Sequence, residues 1–459
     1  MEELNEGQLE AYQAIQEGKS IFLTGSGGTG KSYLLNLLYM QLPRQTGRTV
    51  SLTALTGCAA ILLHPKAKPI HSWAGIGLGS EPVATLYANI RKSHKSYKRW
   101  MTTDVLVIDE ISMMTPELFE KLDELGRKLR RNESVPFGGL QMVLVGDFYQ
   151  LPPVVRDSVQ TKFVFESPLW KKMHLFTKEL TQIVRQKDSS FQTVLNEARR
   201  GELTKASLRI LSKRIGLDYK SLAIQPTMLF LRRAQVDTIN MTHLKKLTTE
   251  LHTFKASTQF QAIQLTSEQS KKDPYLQAAI TKFDGVAPYT PELILAVGAQ
   301  VMLMTNLKPE AGLVNGSRGV VVGFDLPSCF DEKEKMDAEV PKQVDKKLLL
   351  PIVRFKNGKE EMIKMHSWDV PEVIGVKRSQ IPLKLAYAIT IHKSQGSTLD
   401  CALIDVGGQT FEYGQAYVAL SRVKDLESLY IHDLDPGAFR AHPRVKEFYS
   451  QLQVTGEHI

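Results

Sequence analysis

Gly25-Ser26-Gly27-Gly28-Thr29-Gly30-Lys31-Ser32 decides the reading of this 459-residue chain. The eight residues satisfy the phosphate-loop spacing G-x-x-x-x-G-K-[ST]. The apolar run Ile21-Phe22-Leu23 precedes them, and an apolar-periodic stretch from Tyr33 to Leu42 follows. Strand, glycine loop and helix start therefore come in the order such a loop needs. Its backbone N–H groups curl around the β- and γ-phosphates, and the positive end of the following helix adds to them. Lys31 is placed to neutralise β/γ oxygens, and the Ser32 hydroxyl to ligate Mg²⁺. A chance match arises roughly one or two times in a hundred for a chain of such length. Gly25, Ser26, Gly27, Gly28, Thr29, Gly30, Lys31 and Ser32 are the expected nucleotide cradle.

The totals fit a globular protein of several domains. The length leaves room for about three domains. Hydrophobic residues make up 42% and charged ones 23%, which is globular composition and excludes a disordered or fibrous chain. Cys58, Cys329 and Cys401 lie far apart with no C-x-x-C pair, against a zinc site or a disulfide framework and in favour of inert thiols. No apolar stretch reaches the ~18 residues of a membrane span. The start, Met1-Glu2-Glu3, lacks signal-peptide composition. The expectation is a soluble intracellular protein, not secreted and with no membrane partner; cytoplasm, nucleus and mitochondrion stay open. A net charge of +9 suits a polyanionic partner.

Buried-type apolar runs recur at Leu52–Leu55, Val105–Ile108, Met142–Val145, Met228–Leu231 and Ala402–Ile404. Helical patterns such as Pro116 to Leu129 and Phe191 to Arg200 lie between several of them. Strands alternating with helices predict an α/β fold, with parallel sheets covered on both faces. Two segments break the alternation. One, residues 77–101, is basic and aromatic. The other, 316–379, has short apolar runs between turn residues and reads as a small all-β insert, with Asp331 to Lys347 as a solvated loop.

Three further strand ends complete the nucleotide site. Val105-Leu-Val-Ile108 runs into Asp109-Glu110. A buried strand ending in two acids supplies Asp109 for Mg²⁺ and Glu110 to polarise the attacking water. Met142–Val145 runs into Gly146-Asp147-Phe148-Tyr149-Gln150, and a neutral amide at Gln150, just past a parallel strand, can sense the γ-phosphate. Arg185 and Arg422 are candidate arginine fingers, able to reach that phosphate from a second domain.

In order along the chain, these residues resemble the Pif1-family DNA helicases of superfamily 1B. Leu4-Asn-Glu-Gly-Gln8 is similar to the family's adenine-reading motif, with Gln8 as reader. Thr53-Ala-Leu-Thr-Gly57 resembles motif Ia, Val107 to Met113 motif II, and Pro116 to Pro136 the signature helix. Ile70-His-Ser-Trp-Ala-Gly-Ile-Gly-Leu-Gly79 is the more particular segment. Phe137-Gly-Gly139 leads toward motif III, and Arg185-Gln186 toward motif IV. Val297 to Met302 and Leu313 to Gly316 resemble the approach to an SH3-like insert. Ala388 to Thr398, which holds Gly396, is similar to motif V, and Gly414 to Arg422 to motif VI.

The resemblance implies two RecA-like P-loop domains that sandwich ATP, with Gly396 on the nucleotide. It divides the chain into 1–185 with a 77–101 wedge, 186–315 with 380–459, and the 316–379 SH3-like insert. It also implies an ATP-dependent helicase that moves 5′-to-3′ on single-stranded DNA and separates duplex, in replication, recombination or repair. The alternative is a translocase that displaces proteins with little unwinding. Partners would be single-stranded and forked DNA, with G-quadruplexes and RNA–DNA hybrids further candidates, and the core a monomer.

Strand binding without sequence preference needs phosphate donors and stacking surfaces. Thr56, Gly57, His71 and Ser72 are the expected contacts in the first half, with Trp73 either a stacking ring or core. His392, Lys393 and Ser394 are their counterparts in the second. The densest basic run, Arg91 to Trp100, is the expected duplex or phosphate contact. Neutralising Lys95, Lys98 and Arg99 together is expected to flatten the salt dependence of binding.

Overall fold

Alternating side chains explain both faces of the first sheet. Ile21, Leu23, Val50, Leu52, Val105, Val107, Val143 and Val145 enter one buried cluster. Phe22, Leu106, Ile108, Met142 and Leu144 enter another. A strand buried on both faces reads as a continuous apolar run rather than an alternating one, which is why these strands stood out in the sequence.

The structure is a computed structural model that describes residues 4–77, 79–153, 162–222, 224–230, 233–260, 273–327, 349–370, 373, 376–396, 398–407 and 412–455. Cys329 and the segment Asp331 to Lys347 lie outside the described residues. The chain forms two compact units: 1–215 with 406–426 and 433–459, and 216–405 with 427–432. Residues 186–215 and the segment with Arg422 thus pack with the first unit, although a boundary at 185 assigns them to the second domain.

In the first unit, β1 (Ile21–Gly25), β2 (Val50–Ala54), β3 (Lys68–Pro69), β4 (Val105–Asp109), β5 (Gln141–Val145) and β6 (Phe176–Leu180) form one sheet of order β3-β2-β4-β5-β1-β6. Every pairing in it is parallel. The phosphate loop leaves β1, the acid pair ends β4, and Asp147 to Gln150 follow β5, so all three share the carboxyl edge where ligands bind in such sheets. The helix Lys31–Thr46 opens directly from the loop. The predicted helix from Pro116 is Pro116–Arg130, capped by Thr115, whose hydroxyl accepts from Leu118 N–H at 3.2 Å. Residues 77–101 carry two short helices, Val83–Lys92 and His94–Thr102, joined at Ser93.

In the second unit, Thr227–Phe230 lies between Ala388–Thr390 and Ala402–Val406, parallel to both. An antiparallel five-stranded sheet holds Glu360–Met362, Leu350–Phe355, Arg318–Asp325, Gln300–Leu303 and Leu383–Leu385, in that order. The flanking strands 300–303 and 383–385 join it because Val301, Leu303 and Leu383 share a core with Val321, Val353 and Phe355. Among the described residues no helix is long and apolar enough to cross a membrane.

Candidate active site

The phosphate loop is held by its neighbours on every side. Gly28 takes φ +89°, and a Cβ there would lie 2.7 Å from Arg185 Cβ, so this position needs glycine twice over. Its carbonyl accepts from the N–H groups of Val184 (2.9 Å) and Arg185 (3.1 Å). Gly30 at φ +86° abuts the Gln8 amide, which donates to Thr29 O at 3.3 Å. Gln8 also closes a reciprocal cap on the helix Glu6–Gln16: its N–H donates to Asn5 Oδ1, and its Oε1 accepts from Asn5 N–H. Gln8 therefore stands against the loop while it braces its own helix.

Lys31 Nζ donates to Gly25 O (2.7 Å) and Ser26 O (2.9 Å). Burial pushes its ammonium below the usual lysine range, against the pull of Asp147, Glu110 and Asp109. Ser32 is exposed on the first turn of the following helix. Among the described residues no group of three or more His, Cys, Asp or Glu side chains assembles that could hold a metal. One carboxylate and one hydroxyl beside a phosphate loop fit Mg²⁺, which keeps waters and takes its other ligands from phosphates.

Burial pushes the Asp109 carboxyl up to about 6, although the Glu110 N–H (2.9 Å) and the Lys31 charge both pull it down. A carboxyl whose pKa is higher folded than unfolded stabilises the fold while protonated, and that contribution is lost as pH rises through the folded pKa. Asp109→Asn keeps an acceptor for Glu110 N–H and removes the charge. At about pH 8 and without nucleotide, calorimetry should show Asp109→Asn melting above the parent, with the gap closing towards about pH 5. A variant that melts no higher at the upper pH would contradict this.

Two arginines complete the charge pattern, both inside the first unit. Arg185 is half-buried, with Nη1 at 3.5 Å from Ser421 O, and desolvation holds its guanidinium below the usual arginine range. Arg422 is 2% exposed; its Nε donates to Val418 O (2.8 Å) and its Nη2 to Ser421 Oγ (2.6 Å). Burial, then the like charge of Arg185, pushes Arg422 down to about 10, while Tyr417 and Glu110 pull it up. It remains a full cation at neutral pH. Gln150 is buried, and its carbonyl is closely approached by Gly414, which starts the helix Gln415–Leu420.

Asp147 and its partners escaped the sequence reading. Asp147 is 0% exposed and accepts from Arg199 Nε (3.0 Å) and Nη2 (2.9 Å). Arg199 lies over the rings of Tyr149 (4.8 Å) and Tyr449 (5.3 Å) and donates to Glu179 at 2.8 Å. The Tyr449 hydroxyl lies 2.6 Å from Thr24 Oγ1, in the residue before the phosphate loop, and accepts from Phe148 N–H at 3.2 Å. A buried pair with this many partners fixes geometry more than it adds stability. The available signal was Gly146-Asp147 directly after a buried strand.

Of the expected strand contacts, Thr56 and His71 line one cleft of about 350 Å³ together with Leu55, Met113, Thr115 and Glu117. The Thr56 hydroxyl accepts from Ala59 N–H (3.1 Å) at the start of the helix Gly57–Leu63 and retains its own proton to donate. Ser72 follows His71, and its carbonyl accepts from Arg99 Nη2 at 2.8 Å. Trp73 is core, 4.7 Å from the ring of Trp100. Arg99 also turns inward, donating through Nε to Trp73 O at 2.7 Å. The charges left exposed on this helix are Lys95 and Lys98, so the salt-dependence test narrows to those two. In the second unit Ser394 is buried and donates to Ile391 O at 2.7 Å, so its hydroxyl is engaged indoors. Gly396 follows the helix Ile391–Ser394 at φ +77°. The side chains of His392 and Lys393 lie outside the described residues.

A glycine loop after β1, an acid pair at the end of β4 and two arginines beside them define a P-loop nucleotide-binding protein on a RecA-like sheet. The profile of PIF1-like helicases matches residues 3–211, and that of the DNA helicase Pif1 2B domain matches 285–324. ATP-dependent DNA helicase PIF1 of Homo sapiens is 40% identical over 457 residues, covering 98% of this chain and 64% of that protein. The crystal structure of Pif1 helicase from Candida albicans matches with a TM-score of 0.76 at 35% identity, over 98% of this chain and 100% of that one. The chain belongs to the Pif1-like helicase family. Bacteroides Pif1 in complex with ADP-AlF3 and ssDNA matches with a TM-score of 0.65 at 25% identity, over 100% of this chain and 99% of that one. The chain spans about 64% of the length of the Homo sapiens, Rattus norvegicus and Xenopus laevis relatives it matches.

Proposed function

We propose that this chain is an ATP-dependent DNA helicase motor that hydrolyses Mg-ATP, travels 5′-to-3′ on single-stranded DNA and separates duplex. One observation carries the reading: Lys31, Arg185 and Arg422, three cations under desolvation, gather at a loop faced by Asp109 and Glu110. A triphosphate relieves the repulsion between Arg185 and Arg422 and is attracted by all three charges. Mg²⁺, when bound by Ser32 and Asp109, neutralises charge on the phosphates.

In this reading Glu110 takes a proton from the attacking water as its oxygen bonds to the γ-phosphorus and the bond to ADP breaks. Gln8 stands where it can read the base, and Gln150 where it can sense the γ-phosphate. Arg185 and Arg422 counter the charge spreading over the γ-oxygens. Thr56, Gly57, His71 and Ser72 meet the strand in the first unit; Ser394, His392, Lys393 and Gly396 belong to the motif that serves strand and nucleotide in the second. Residues 77–101 are the wedge, and 316–379, with the strands 300–303 and 383–385 that join its sheet, the SH3-like insert. The single-stranded and fluoroaluminate ligands of the Bacteroides relative support both halves of the proposal.

The test is ATP-driven strand separation on matched duplexes carrying either a 5′ or a 3′ single-stranded tail. Unwinding from the 5′ tail alone is expected. Unwinding from the 3′ tail alone would overturn the polarity. DNA-stimulated ATP hydrolysis with no unwinding from either would leave a translocase.

A further inference from the structure

A phenol stands against the phosphate loop. Tyr417, on the helix Gln415–Leu420, is 2% exposed, and its hydroxyl accepts from the Gly27 N–H of the phosphate loop at 2.8 Å. The side of Gly27 where a Cβ would stand faces the Tyr417 hydroxyl and the Ser421 side chain, each 3.6 Å away. Arg422 follows on the same segment, and Arg185 borders Gly28, the next residue of the loop. The phenol therefore sits at the tip of the loop, among the groups assigned to the terminal phosphate.

A phenol oxygen that accepts one hydrogen bond still has its own proton to give. Burial and the nearby Asp147 both hold Tyr417 above the usual tyrosine range, so it stays neutral and protonated. A neutral donor has a particular use here. Arg185 and Arg422 already repel one another, and another cation would raise the cost of assembling the site. A hydroxyl adds a directed donor without adding charge, and its Gly27 bond aims it before substrate arrives.

We propose that Tyr417 is a catalytic residue whose O–H donates to a γ-phosphoryl oxygen of the bound nucleoside triphosphate. The inference rests on the loop being a triphosphate site. The competing role is a structural peg that only holds Gly27 in place. The two differ in which ligand notices the hydroxyl: a peg shapes the loop for any nucleotide, whereas a γ-phosphate donor matters only when that position is filled.

The test compares the whole chain with Tyr417→Phe, which keeps the ring and removes the hydroxyl. Equilibrium binding is measured for ADP and for ADP with aluminium fluoride, a stand-in for the transferring phosphoryl group, and steady-state hydrolysis for ATP. Expected are ADP affinity within about twofold of the parent, ADP-fluoroaluminate affinity weaker by ~10-fold or more, and kcat lower by ~10- to 100-fold. Retained ADP binding also reports that the variant is folded. If the two affinities fall in step, or neither moves, Tyr417 is a peg and the proposal is wrong. If the parent protein binds neither ligand, the triphosphate reading fails and takes this inference with it.

Discussion

Glu110→Gln will bind ATP about as well as the parent and hydrolyse it ~10³-fold more slowly, within the range that general bases supply. The backbone favours this outcome. Glu110 takes φ 58°, a left-handed conformation that a residue with a side chain rarely adopts. Its N–H turns back to Asp109 Oδ1 at 2.9 Å, which sets the bend at the end of β4. Such strain persists only where the surroundings over-determine it, and it is common where a side chain must be aimed. Glu110 also acts electrostatically on both Lys31 and Arg422, so its charge is felt on both sides of the phosphate loop. Glutamine keeps the shape and the bend but cannot take up the proton of the attacking water. Phosphate release under saturating ATP and single-stranded DNA measures turnover, and equilibrium titration measures binding. Near-parental turnover would remove Glu110 from the base role. A matching loss of binding would make it a ligand-holding residue instead.

What the sequence could show follows from how local each feature is. The strands at the centre of the first unit were legible because burial on two faces leaves an unbroken apolar run. The phosphate loop and the acid pair were legible because their spacing is fixed within a few residues. Arg199 was not: it meets Asp147 from 52 positions away, and an arginine near a helix end looks the same whether it caps, pairs or faces water. Tyr449 reaches Thr24 across 425 positions, a contact that no periodicity can announce. Arg99 misled in the opposite direction. It belongs to a basic run that reads as surface, yet it serves the carbonyls of Ser72 and Trp73, at a short helix whose C-terminal groups need donors. The all-β region was visible as a composition shift. Its edges were not, since Gln300–Leu303 and Leu383–Leu385 join that sheet through a core assembled from distant segments.

Arg422→Ala is expected to lower DNA-stimulated ATP turnover by ~10³-fold, the scale on which arginine fingers act. The guanidinium is buried next to Arg185, and the fork is oriented by Val418 O and Ser421 Oγ before any substrate arrives. The charge is thus held at a site that disfavours it until negative charge comes near. The attraction should be greatest in the transition state, where charge spreads over the γ-oxygens, so the loss should appear in kcat more than in KM. Arg422→Lys should recover little, because an ammonium cannot reproduce a planar fork anchored at two points. The apo protein should tolerate Arg422→Ala better than most buried truncations, since removing one of two repelling cations offsets part of the lost packing. Single-turnover hydrolysis of prebound ATP isolates the chemical step, and thermal melting reports the stability. Turnover in Arg422→Ala within about tenfold of the parent would assign the charge to structure and leave Arg185 as the group that meets the γ-phosphate.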